Sequence, residues 1–152
     1  MPEAFEALMG MHRVADASGL DPKLLELVRL RASQINGCAF CLDAHSRAAL
    51  AAGESARRLH VVAAWREAPF YDARERAALA WCESLTLLSE TGAPDAVYEG
   101  VAAAFAPREQ VALTAAVAAI NAWNRFTVGF RIPVRDVLPG VPAGDRLEEP
   151  RA

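Results

Sequence analysis

Residues Asp21 to His45 read DPKLLELVRLRASQINGCAFCLDAH. The stretch opens as a helix should. Asp21 can cap the first free backbone N–H groups, and Pro22 suits the first helical position. Leu24, Leu25, Val28, Ala32 and Ile35 then recur at helical spacing until Asn36-Gly37, a stop signal. A second helix is expected from near Cys38 to Gly53. Cys38 and Cys41 are three apart, and Cys41 and His45 four apart, so on a helix two sulfurs and an imidazole share one face.

The same reading extends along the chain. A third helix is expected over Ser55 to Glu67, with Leu59, Val62, Ala63 and Arg66 at spacings of three or four, and Pro69 ends it. Asp72 with Glu75 makes a capping-box start for a helix from Ala73 to about Glu90, closed by Thr91-Gly92. Pro94 opens a helix to about Phe105. Pro107 opens the last, with Val111, Ala115, Ala118 and Ala122 on one face, to roughly Phe126 or beyond. Nothing of useful length alternates apolar and polar residues, so the expected fold is all-α. The 33 alanines among 152 residues favour helix as well. Residues 1–133 are taken as one helical domain. Residues 134–152, rich in Pro and Gly, read as a non-helical tail, either frayed or strapped across a neighbouring subunit.

Composition narrows the function classes. At 53% hydrophobic and 23% charged the chain can build a core and is not intrinsically disordered. A net charge of −3 gives no electrostatic footprint for nucleic acid or anionic membrane. The longest apolar stretch, Val111 to Trp123, is shorter than the ~20 residues a membrane span needs. Glu3 and Glu6 stand where an export signal wants positive charge, so a cytoplasmic location is expected. In that compartment a close Cys pair points to redox or metal chemistry more than to a structural staple.

Three effects converge on the Cys pair. Both cysteines fall in a first helical turn, where unpaired N–H groups favour a thiolate. Their spacing lets them close a small disulfide ring. His45, one turn beyond Cys41, can take its proton. Glu26 precedes Cys38 by twelve residues, too far to touch it along one helix. If Asn36-Gly37 folds the chain into an antiparallel hairpin, Glu26 lies roughly 16 Å from the turn and His45 roughly 12 Å, nearly level. Glu26 could then orient His45, the base-plus-orienter logic of activated nucleophiles. The alternative is an exposed Glu26 paired with Lys23 or Arg29. Zinc is the rival for Cys38, Cys41 and His45, but a structural site wants four ligands and no second ligand pair follows. A c-type haem would need His where Leu42 stands. Two inert, buried cysteines are the remaining reading.

The full pattern, Glu, eleven residues, Cys-X-X-Cys, three residues, His, resembles the AhpD-like alkylhydroperoxidases of the carboxymuconolactone decarboxylase superfamily. The segments LRASQINGCAFCLDAHSRAALAAGE, AAWREAPFYDARERAALAWCESLT and NAWNRF carry the likeness, which covers about residues 2–133. The resemblance implies an all-α fold with the dithiol on a helix at a subunit interface of a homo-oligomer, trimer or hexamer. It implies that Cys41 attacks a hydroperoxide, Cys38 resolves the sulfenic acid to a disulfide, and His45 and Glu26 relay the proton. The implied reductant is an external dithiol such as a lipoyl-bearing protein, and some relatives serve a peroxiredoxin partner. No metal or tightly bound cofactor is implied. Some members carry a His immediately before the second Cys, where this chain has Phe40. General thiol–disulfide exchange, or a redox-sensing role in partner binding, is therefore the alternative. The decarboxylase branch does not use the Cys pair, so its presence argues against lactone decarboxylation.

Other candidates read as structural. Cys82 sits on a strongly apolar helix as a small core residue. His12 and His60 read as surface or satisfied core. Trp65, Trp81 and Trp123 read as core or interface anchors, and Asn124 and Arg125 as caps or pairs within the fold. Several helix faces look too apolar to be left wet, a second reason to expect an oligomer.

Overall fold

The computed structural model describes residues 1–134, and all of its regular structure is helical. The segment order is α1 (Pro2–Asp16), α2 (Pro22–Ile35), α3 (Ala39–Ala51), α4 (Ala56–Val61), a 3-10 turn (Val62–Ala64), α5 (Ala73–Thr86), α6 (Leu88–Thr91), α7 (Asp95–Ala104) and α8 (Pro107–Gly129). The expected tail lies outside the described residues from residue 135 onward.

Helix α2 is the axis of the molecule. Asp21 accepts the Lys23 N–H at 2.9 Å, and Pro22 fills the first turn. From Leu24 to Leu30 every residue is buried. Leu24, Leu25 and Val28 face one apolar cluster, with Ile120, Leu113 and Phe105. Leu27 and Leu30 face a second, with Val62, Trp65 and Leu79. Helices α3, α5 and α8 pack around this axis, and α1 lies along α8. Gly37, at φ +65°, reverses the chain between α2 and α3, the left-handed conformation that glycine tolerates best.

Four expectations are corrected. Helix α1 was not anticipated. Its sequence has Pro2 at the start, Glu3 in the first turn and Arg13 in the last, which suit a helix dipole, but it buries only Ala15 completely and so shows a weak core signal. The helix expected over Ser55 to Glu67 stops at Val61 and tightens into a 3-10 turn, which brings Val62 and Trp65 into the second cluster. The helix expected from Ala73 to Glu90 breaks at Leu87, where φ is −103° and ψ 37°. Thr91 marks the break by donating its hydroxyl to the Ser84 carbonyl at 2.8 Å. On α8 the buried face is Leu113, Ala116, Val117 and Ile120, while Val111 is 69% exposed. That helix is apolar around most of its girth, so periodicity could not select the face, and the bulkier side chains went inward.

Candidate active site

Cys38 is the N-cap of α3. Its sulfur accepts the Cys41 N–H at 3.3 Å, replacing the hydroxyl or carboxylate that usually caps a helix. Both sulfurs are buried, and Cys38 and Cys41 are free thiols. Thr127, from the last turns of α8, reaches them both. Its Oγ1 lies 2.9 Å from the Cys38 sulfur and 3.6 Å from the Cys41 sulfur. The same oxygen is 2.9 Å from the Trp123 carbonyl, the normal outlet for its single proton within a helix.

Behind the sulfurs runs a buried amide ladder. Asn124, only 1% exposed, donates to Ser33 Oγ at 3.1 Å and accepts from Asn36 Nδ2 at 2.8 Å. Asn36 also donates to Asn121 Oδ1 at 3.0 Å. This ladder fastens the α2–α3 corner to α8 and so holds Thr127 against the cysteines.

On the other side of the pair, Glu26 and His45 do meet across the hairpin. Glu26 Oε2 lies 2.7 Å from His45 Nδ1, and Oε1 accepts from Arg29 at 2.6 Å. The exposed reading of Glu26 is overturned: it does pair with Arg29, but inside the protein, at 8% exposure, and with His45 as well. Burial alone would raise its carboxyl, yet the hydrogen bonds and charges of His45 and Arg29 hold it below 4.5. Arg29 continues to Asp16 at 2.6 Å, and Asp16 lies 3.6 Å from His12 Nε2. The His12 ring lies nearly parallel to His45, centroids 6.3 Å apart. Sequence reads His12 as surface or satisfied core, but among the described residues its Nδ1 is buried without a partner.

Two further expectations are corrected here. Cys41 is not acidic in the dithiol form. Burial pushes its thiol up to about 11, Cys38 adds to the rise, and Thr127 and Asn124 only partly oppose it. Nor does His45 hydrogen-bond Cys41; among the described residues its polar contact is Glu26. The site is therefore two pieces, a dithiol with Thr127 and a carboxylate–imidazole pair, joined through α3, on which Cys41 and His45 stand one helical turn apart. Thr127 carries no sequence signal, and Asn124, Arg29 and His12 are read from sequence only as pairing or structural residues, because three of these four reach the site from helices distant in the chain.

A cavity of about 290 Å³ opens beside the pair. Cys38, Phe40, Thr127, Val128, Arg131 and Ile132 are among its walls, and Cys41 is not. No three His, Cys, Asp or Glu side chains among the described residues converge as a metal-ligand set.

This arrangement can be set beside known proteins. A profile of the carboxymuconolactone decarboxylase family matches residues 2–84, a span that holds Glu26, both cysteines and His45. The chain belongs to this family. The uncharacterised protein YdfG of Bacillus subtilis (strain 168) is 35% identical over 127 residues, covering 84% of this chain and 86% of that protein. A crystal structure of a protein of unknown function from Agrobacterium tumefaciens, provisionally described as the antioxidant defence protein AhpD, is 44% identical. It superposes with a TM-score of 0.85, covering 89% of this chain and 92% of that one. The debrominase Bmp8 shares the fold at a TM-score of 0.79 and 19% identity, covering 89% and 73%. The AhpD-like, all-α expectation is therefore met, with the Cys-X-X-Cys pair at the start of a core helix.

Proposed function

We propose that this family member is a dithiol-dependent hydroperoxide reductase. The observation that carries the reading is the convergence of two free cysteines at the head of α3 with a 2.7 Å carboxylate–imidazole pair formed between Glu26 of α2 and His45 of the same α3. The AhpD assignment given to the Agrobacterium structure points the same way.

In this reading Cys41 gives up its proton toward His45, whose charged form Glu26 stabilises. The thiolate attacks the distal peroxide oxygen. An S–O bond forms, the O–O bond breaks, and the alcohol leaves with the proton. Cys38 then attacks the sulfenic sulfur, water departs, and the Cys38–Cys41 disulfide closes. An external dithiol, such as a lipoyl-bearing protein, restores the pair, and a peroxiredoxin is a further candidate partner. The raised thiol of Cys41 gives the relay its purpose, since a sulfur that ionises only near pH 11 needs a base to act at neutral pH. A homo-oligomer, trimer or hexamer, belongs to the same proposal.

The test is consumption of tert-butyl hydroperoxide with dihydrolipoamide as donor. Cys41→Ser should abolish it, and Cys38→Ser should trap a sulfenic acid. Normal turnover by both variants refutes the reading. A second reading, disulfide exchange without peroxide turnover, is favoured by the cavity's contact with Cys38 in place of Cys41. Donor-dependent peroxide loss separates the two.

A further inference from the structure

The cavity beside the cysteine pair joins hydrocarbon to positive charge. Cys38 stands in its wall with Phe40, Val128 and Ile132, and Arg131 is the cation there. We propose that Arg131 makes this cavity a subsite for an anionic reactant, a short organic hydroperoxide bearing a carboxylate. The hydrocarbon part lies against Phe40, Val128 and Ile132, and the carboxylate meets the Arg131 guanidinium. The inference rests on the hydroperoxide reading for the reactive group, but its charge selectivity is measurable without peroxide.

The backbone fixes where Arg131 stands. Helix α8 ends in a closed reversal: the Arg131 N–H donates to the Val128 carbonyl at 3.2 Å, and the Ile132 N–H to the Thr127 carbonyl at 2.9 Å. In this pattern the residue just past the cap takes the left-handed conformation, and glycine is its usual occupant. Here an arginine holds it, at φ +55°. A residue with a side chain is disfavoured there. An arginine in the last turn of α8 would serve the helix dipole without that cost. The reversal closes on Thr127, whose hydroxyl lies 2.9 Å from the Cys38 sulfur, and it sets Arg131 in the wall that both residues share.

Charge points the same way. The chain as a whole carries −3. Yet among the described residues no carboxylate lines this cavity, nor the neighbouring one of about 380 Å³ with which it shares Val128. That second cavity holds Arg125 beside Asn36 and Asn124. Arg125 donates to the Asn121 carbonyl at 2.7 Å, so its head is tied to its own helix while its charge adds to the local field. A concave wall of one sign with apolar sides concentrates anions near it. At about 290 Å³ the cavity suits a short chain. The guanidinium fork matches a carboxylate, whereas a neutral reactant of the same shape gains apolar contact alone.

Two reagents of nearly equal shape and different charge test this. Cys38 in native protein is alkylated at pH 7 by iodoacetate or by iodoacetamide, with each rate read by peptide mass spectrometry. Their ratio is normalised to that of 2-mercaptoethanol, a neutral thiol. Wild type should favour iodoacetate by about threefold or more. Salt at about 0.5 M should remove most of that preference. Arg131→Met should bring the ratio to the free-thiol value, while Arg131→Lys and Arg125→Met should keep a preference. Hexanoate should slow iodoacetamide at Cys38 more than hexanamide does. A wild-type ratio equal to that of the free thiol overturns the inference. So does a preference that survives Arg131→Met, or equal protection by the two hexanoyl compounds. Should Arg131→Met fail to fold, the salt and hexanoate measurements on wild type decide. Peroxide turnover without charge preference removes this inference alone. Charge preference without peroxide turnover removes the hydroperoxide reading and leaves an anion subsite beside a disulfide-exchange centre.

Discussion

Thr127 is the smallest part of the site with the largest expected effect. One hydroxyl serves two sulfurs from a helix some 90 residues away in sequence. Thr127→Val keeps the shape and removes the donor. A hydrogen bond to a charged group contributes about 1.5–3 kcal/mol, so Cys38 alkylation by iodoacetamide at pH 7 should fall about tenfold or more. Its pH profile should move upward, and Thr127→Ser should restore both. Glu26→Gln probes the other half. It leaves Arg29, whose side chain is 3% exposed, with Asp16 as its remaining carboxylate partner. The expected destabilisation is about 2 kcal/mol by urea denaturation. In the same variant Cys41 should alkylate more slowly at neutral pH, because the imidazolium that receives its proton loses its counter-charge.

At the scale of elements, the α2–α3 hairpin organises the site. Its arithmetic was legible in the chain: Asn36-Gly37 as the turn placed Glu26 and His45 level, and they meet at 2.7 Å. Local signals carried that far because a hairpin converts sequence spacing directly into height along two antiparallel helices. What α8 and α1 contribute was not legible. Thr127 and Asn124 sit in a helix that is apolar around most of its girth, and His12 and Asp16 in a segment with hardly any core signal; no spacing relates them to Cys38. The acidic thiol expected at Cys41 also failed for a non-local reason, since the helix-start effect that favours ionisation was outweighed by burial under α8. The turn itself gives a clean prediction. A Cβ at Gly37 meets nothing within 4 Å, so Gly37→Ala carries only the conformational cost of φ +65°, about 1 kcal/mol. A loss much above that in thermal denaturation would show that the corner is also packed against something else.

For the molecule as a whole, two predictions follow from charge and from apolar surface. Burial, and the Arg29 charge beside it, lower His12 below its ordinary value of 6.5. The unfolded chain then binds more protons than the folded one as pH falls below 6.5, so acid withdraws stability from that point. Glu26 and Glu83, held below 4.5 against their burial by their hydrogen-bond partners, act in the same direction at lower pH, their contribution lost as pH falls through their folded values. Thermal midpoints should therefore decline in two stages, and His12→Phe should flatten the upper one only. The outer face of α8 supplies the other prediction. Val111, Tyr98 and Met11 line an apolar groove of about 550 Å³, and Val111 also lines a second cavity together with Val14, which is 62% exposed. An exposed apolar surface of this kind is expected to be covered. The sedimentation mass should be a multiple of 16.3 kDa, and a 16.3 kDa species at micromolar concentration would refute self-association.

Cys38 is a helix cap and, in the function proposed above, also a reactive sulfur, and the two jobs would compete. If the pair closes as proposed, the Cys38 sulfur keeps its lone pairs but its orientation is fixed by the S–S bond, which would turn them from the Cys41 N–H and leave α3 with a weaker anchor. Each catalytic cycle would thereby loosen and retighten the first turn beneath His45. Amide exchange at Cys41, followed in reduced and oxidised protein, would then serve as a one-residue gauge of the proposed cycle.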